Sequence, residues 1–199
     1  MNVLIINAHL NYPNWSEGTL NKSMVDVAKA HFVKNDHQVI VTHIENGYSP
    51  EDEVQKHVQA DLVILQTPIN WFGAPWIYKK YVDEVFNAGL HSKTLLDNDG
   101  RTRKDPTRQY GTGGHMHGKK FMVAATWNAP EEAFDNKSGV LFGGKNTDDL
   151  LLHITSNYKF IGFDILSDYG VFDIFKENAD ISESLKSYIP YLEEVSLSV

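Results

Sequence analysis

The chain opens on an apolar run rich in β-branched residues, Val3 to Ile6, that stops at Asn7-Ala8-His9. Unbroken runs of this kind suit strands buried on both faces of a parallel sheet. The period then changes. Leu20, Met24, Val27, Ala28 and Phe32 recur at three- and four-residue steps, which predicts an amphipathic helix ending near Asn35-Asp36. Gln38 to Ile44 alternates as a strand, Glu51 to Gln59 has helical composition, and Leu62 to Leu65 is a second short apolar run. Pro75 to Phe86 mixes Lys79, Lys80, Asp83 and Glu84 with Ile77, Tyr81, Val82 and Val85, a helix with proline in its first turn. Phe121 to Ala125 makes a fourth strand. A helix over Thr147 to Phe160, a strand within Ile165 to Phe172 and a helix over Ile181 to Glu194 follow.

Strand and helix alternate throughout, so the expected fold is α/β: one doubly wound, five-stranded parallel sheet in the order 2-1-3-4-5. Residues 1–199 are expected to form one domain, since the length lies in the usual single-domain range. Ala88 to Gly118 breaks the alternation. It is rich in Gly, Asp, Arg and Thr, lacks periodicity, and reads as a long insertion before the fourth strand.

Composition narrows the function. A net charge of -8 repels a phosphate backbone, so no nucleic-acid partner is expected. The absence of cysteine excludes disulfides, thiolate zinc sites and iron–sulfur clusters, so any redox chemistry must use a bound cofactor. No run approaches the ~18 apolar residues of a membrane span, and the start lacks the features of a secretory signal. A cytoplasmic protein without an integral membrane segment is the expectation.

In open α/β sheets ligands bind beyond the carboxyl ends of the strands, which selects three segments. The first, Asn7 to Asn21, brings Ser16, Gly18, Thr19 and Asn21 to the start of a helix, where free backbone N–H groups and the helix dipole favour an anion. Ser16 or Thr19 could equally act there as a simple helix cap. The second, Thr67 to Trp76, places Trp71 and Phe72 beside Gly73, as wall and edge for a planar ring. Trp76 fits better as an anchor for the following helix or a subunit contact. The third is Thr126-Trp127-Asn128-Ala129-Pro130, offering a hydroxyl, a ring and amides, although Trp127 could belong to the core. His115 and His117 lack a third ligand partner, and no metal site is expected. Arg101, Arg103, Lys104 and Arg108 form a basic cluster that either steers the phosphates of a cosubstrate or pairs with acidic surface at a subunit contact.

The stretches Trp71-Phe-Gly-Ala-Pro-Trp76, Lys79 to Phe86, Asp99 to Gly114 and Thr126 to Phe134 together resemble the modulator of drug activity B family of NADPH:quinone reductases, flavodoxin-like proteins. The resemblance runs from Asn2 to about Gly162. The chain differs from the family in carrying Tyr12-Pro13-Asn14-Trp15 before Ser16, and Ile69-Asn70 where the family often has glycine. The resemblance implies a homodimer holding one FAD per subunit, reduced by NADPH or NADH and reoxidised by a quinone or similar small acceptor. It places the FAD phosphates at Ser16, Gly18, Thr19, Leu20 and Asn21. The ring system would lie against Pro68, Ile69, Asn70, Trp71, Thr126, Trp127, Asn128 and Ala129. Tyr110 would complete the site as a hydrogen-bond donor in catalysis. Three other roles stay open: an azo- or nitroreductase using FMN, a regulatory flavoprotein subunit of a potassium efflux system, and a small electron carrier.

Overall fold

The computed structural model describes residues 1–177 and 180–199. Strand β1 (Asn2–Asn7) lies between β2 (Gln38–His43) and β3 (Leu62–Pro68), and β4 (Lys120–Thr126) lies beyond β3. All of these pairs are parallel. Short β5 (Asp164–Ile165) completes the order β2-β1-β3-β4-β5, the topology expected from the alternation of elements.

Side chains on a strand point alternately to opposite faces, and here both faces are apolar. Val3, Ile5, Leu62 and Ile64 pack with Met24 and Phe32 of α1 (Thr19–Lys34) and Leu192 of α5 (Ile181–Leu197). Leu4, Ile6, Val63 and Leu65 pack with Val54 of α2 (Pro50–Gln59), Val82 and Val85 of α3 (Trp76–His91), and Ile154 of α4 (Thr147–Ile161). The second layer also encloses the carboxylate of Glu53, which is 1% exposed. Tyr81 Oη donates to it at 2.6 Å, Thr42 Oγ1 donates at 3.0 Å, and Lys56 forms an ion pair with it. A buried charge is tolerated only when paired in this way.

The structure differs from the sequence expectation in three places. Helix α3 starts one residue past Pro75, which caps it, and runs on to His91, so the irregular stretch begins after Ala88. That stretch is pinned by buried Leu95, Leu96 and Met116 against the end of α4, with Met116 N–H donating to Ile161 O at 2.9 Å. Gly114 permits the approach, since a Cβ there would stand 2.1 Å from the Ile161 carbonyl carbon. The fifth strand is also broken in two. β5 pairs with Lys120 and Phe121, whereas β6 (Tyr169–Val171) pairs with Ala124 to Thr126.

Helices on both faces take up the polar groups at this break. Tyr191 of α5 donates to Ser167 O, and Thr147 at the start of α4 donates to the Asp168 carboxylate at 2.7 Å. Burial, reinforced by neighbouring Asp148, pushes the Asp168 carboxyl up to about 7, against the pull of the Thr147 hydrogen bond. The folded chain therefore holds this proton up to about pH 7, while the unfolded chain loses it near 3.8, and stability falls as pH rises through that window. Asp168→Asn keeps the Thr147 contact and cannot ionise. Urea titrations should find it more stable than the parent above the window and not below it; identical pH profiles for the two proteins would refute the assignment.

Candidate functional site

The loops after β1, β3 and β4 meet in one pocket of about 730 Å³, within the size range of small-molecule sites. After β1, His9 turns back toward the chain. Its N–H donates to Asn7 Oδ1 at 3.1 Å, and its Nε2 lies 3.1 Å from Ser16 O. Tyr12 and Ser16 close a short hairpin between them, with Tyr12 and Trp15 edge to face. The chain then enters α1 through Gly18, the N-cap residue, at φ 78°. A side chain there would be strained by the left-handed backbone and would put its Cβ 2.4 Å from the His9 ring.

Neither Ser16 nor Thr19 caps α1, because among the described residues no side chain accepts a hydrogen bond at that terminus. The simple-cap reading is therefore wrong for both residues. The first N–H groups of a helix have no partner within it, and here they face the pocket wall formed by Ser16 to Asn21. A terminus of this kind favours an anion.

After β3 the chain passes Pro68 and Ile69 into a two-residue turn. Asn70 and Gly73 exchange backbone hydrogen bonds of 2.8 and 3.2 Å around Trp71 and Phe72. Both aromatic residues have positive φ, 50° and 67°, the backbone of a type I′ turn that normally selects Asn-Gly. Strain of this kind concentrates at functional sites. It holds the Trp71 side of the turn out into solvent, 92% exposed, and sets Phe72 edge to face on Phe142 at 6.0 Å. Asn70 Nδ2 is buried in the same wall without a hydrogen-bond partner among the described residues.

After β4 the loop divides its duties. The ring of Trp127 is buried and packs on Phe134 at 5.1 Å, so the indole is part of the core although the residue lines the pocket. Its backbone N–H is spent on Val171 O at 2.7 Å. Asn128 and Ala129 have no such internal acceptor among the described residues, so theirs are the amides open to a ligand. The polar groups left over, the uncapped α1 amides, Asn70 Nδ2 and these two N–H groups, fit the phosphate and heteroatom-bearing ring of a flavin nucleotide.

Every residue expected at the cofactor lines this pocket except Tyr110. Tyr110 is 68% exposed and packs on Phe160 at 5.2 Å with Arg101 over its ring. Phe160 sits at the far end of α4, beside the amino ends of the strands, so within one chain Tyr110 lies at the end of the sheet opposite the pocket. Arg101 and Arg108 accompany it, bound to Asp99 and to Thr112 O. His115 is paired with Asp97 at 3.3 Å.

The sequence reasoning missed Leu141, Phe142, Ile174 and Phe175, which form the remaining apolar wall. Leu141 and Phe142 fall in a stretch without period. Ile174 and Phe175 follow β6, and the rule that selected the first three loops could have selected this fourth one. It is tied to the third, with Ile174 N–H donating to Trp127 O and Asp173 N–H to Ala129 O, each at 3.2 Å.

A sheet of this order with a pocket at its carboxyl edge defines the class, and the chain belongs to the family of the flavodoxin-like fold, whose description matches residues 1–192. It is an oxidoreductase. It is 38% identical over 195 residues to the NADPH:quinone oxidoreductase MdaB of Haemophilus influenzae, covering 98% of this chain and 99% of that one. Among solved structures, a Klebsiella pneumoniae chain provisionally assigned as a quinone reductase superimposes with a TM-score of 0.76 at 22% identity, over 98% of this chain and 85% of that one. General stress protein 14 of Treponema denticola, solved in complex with FMN, gives 0.66 at 19% identity over 97% and 98% of the two chains.

The left-handed pair at the pocket lip can be tested without any ligand. Replacing Trp71 by Asn and Phe72 by Gly together should stabilise the free protein by about 1 kcal/mol, the relief of strain exceeding the lost Phe72–Phe142 contact. A urea midpoint that is unchanged or lower would contradict the strain.

Proposed function

We propose that the chain is an FAD-dependent NAD(P)H:quinone oxidoreductase that works by a ping-pong hydride relay in a single pocket. The observation that carries this reading is the pairing, in one pocket, of an uncapped helix N-terminus with an apolar, aromatic-lipped slot. An anion seat beside a planar apolar slot has the shape and polarity of a flavin nucleotide. The similarity to MdaB supports the same reaction, since that relative is matched along nearly its whole length.

Bound there, the flavin would supply the hydride chemistry, taking hydride from the nicotinamide and passing it to the acceptor in a separate half-reaction. The protein's part is to bind, orient and exclude water. Backbone N–H groups of Thr19, Leu20 and Asn21 hold the phosphates with the help of the helix dipole. Asn128 and Ala129 N–H donate to the polar edge of the ring, where fixed donors stabilise developing negative charge. Trp127 N–H is already committed to Val171 and takes no part. Trp71, Phe72, Leu141 and Phe175 form the apolar mouth in which nicotinamide and quinone replace each other.

The functional unit is a homodimer. Trp71, Trp76 and Phe175 leave large apolar surface exposed around the mouth, which is the kind of surface that a second copy covers. Tyr110, at the wrong end of its own chain, reaches a pocket only from a partner, where its hydroxyl would donate to flavin or quinone. The basic cluster around Arg101 would travel with it toward the cosubstrate's phosphates. A second reading, with FMN in place of FAD, is favoured by one observation: the structural likeness to an FMN complex.

Steady-state rates measured over a grid of NADPH and menadione concentrations test the shared pocket. Parallel double-reciprocal lines are expected, because one substrate must leave before the other binds, and intersecting lines would rule the scheme out. The mass of the extracted flavin decides between FAD and FMN.

A further inference from the structure

The least expected side chain near the pocket is Gln66. It lies on β3 among Ile64, Met24 and Ala124, in the apolar layer under α1, and is 1% exposed. Its Nε2 donates to Asn21 Oδ1 at 2.9 Å and lies 3.4 Å from Met24 Sδ, while its Oε1 is buried with no partner among the described residues. A half-satisfied buried amide destabilises a core relative to an apolar side chain of the same shape. Gln66 is therefore poorly explained by stability.

Its effect on Asn21 offers an explanation. Asn21 belongs to the first turn of α1, is 4% exposed and lines the pocket. An asparagine amide has two nearly isosteric orientations, one presenting its oxygen and the other its NH₂ group. With Oδ1 occupied by Gln66, Nδ2 points toward Thr126 Oγ1, at 3.5 Å. The Thr126 oxygen then acts as acceptor, and its hydroxyl proton is free to donate. The polarity runs from Gln66 through Asn21 to Thr126, which leaves Asn21 and Thr126 as donors where they line the pocket.

We propose that Gln66 is a positioning residue that holds the Asn21 oxygen in the sheet and its NH₂ group toward Thr126, so that no amide oxygen faces the phosphate-bearing part of the flavin. This rests on the flavin reading above and adds to it a residue that touches no ligand. The donor set at the α1 terminus consists of backbone N–H groups, and an Asn21 oxygen turned toward them would oppose an anion. Gln66 prevents that reversal.

Gln66→Met keeps the length and the apolar packing and removes the donor. The binding of FMN and of riboflavin, which lacks the phosphate, is measured by quenching of flavin fluorescence, together with the urea midpoint of the free protein. The variant should bind FMN about tenfold more weakly, the cost of one hydrogen bond to a charged group, while riboflavin affinity stays the same and the midpoint is equal or higher. In an Asn21→Ala background the same substitution should have no further effect on FMN. A merely structural Gln66 would weaken both flavins and lower the midpoint, and that result would overturn the proposal. So would unchanged affinity for both. If the parent protein binds neither flavin, the functional reading fails and the positioning role fails with it. If the parent binds both and the variant does not discriminate between them, only the positioning role fails.

Discussion

The parallel register among β1, β3 and β4 sets the height at which every loop of the pocket leaves the sheet. Asn7 stands beside Gln66, and Pro68 beside Thr126, so the three strands finish within a residue or two of one another. Backbone hydrogen bonds continue that alignment past the strand ends, from Ala8 to Gln66 and from Ile69 to Thr126, each at 2.9 Å. A slip of one residue would send every side chain of a strand to the opposite face, into a layer packed around different neighbours. Burial on both faces thus holds the register, and the register brings the uncapped α1 terminus, the aromatic turn and the free amides together.

The rest of the pocket shows where stability has been given up for geometry. Trp71 and Phe72 occupy backbone conformations in which glycine would be comfortable, and Gln66 carries an unpartnered oxygen in an apolar layer. Gly18 is held in the left-handed region above the ring of His9, a position no other residue could take without moving that ring. These departures lie within or directly beneath one pocket. At Glu53, by contrast, a buried carboxylate of the opposite layer is fully paired.

The sheet and its helices were legible in the sequence because the parallel strands are continuous apolar runs and the helices keep their period. The fifth strand was less so, since its break at Leu166 to Asp168 depends on Tyr191 and Thr147, which are distant in the chain. The site was read from the rule that ligands gather at the strands' carboxyl ends, and Ser16 to Asn21, Pro68 to Trp71 and Thr126 to Ala129 do line one pocket. Which of their groups are free could not be read, because that depends on pairing: Trp127 N–H is consumed by a strand far along the chain. Tyr110 came from family resemblance alone, and the position of its loop within one chain follows from Gly114 and Met116 packing on α4, a contact with no local sequence signal.

The most direct measurement is an anaerobic visible spectrum of the protein reconstituted with FAD, recorded before NADPH, after NADPH, and again after menadione. The account predicts that NADPH bleaches the flavin band and that menadione promptly restores it, with no partner protein present. A protein that binds FAD but is left unbleached by NADPH would contradict the hydride relay, and one that takes up no flavin would contradict the reading of the pocket itself.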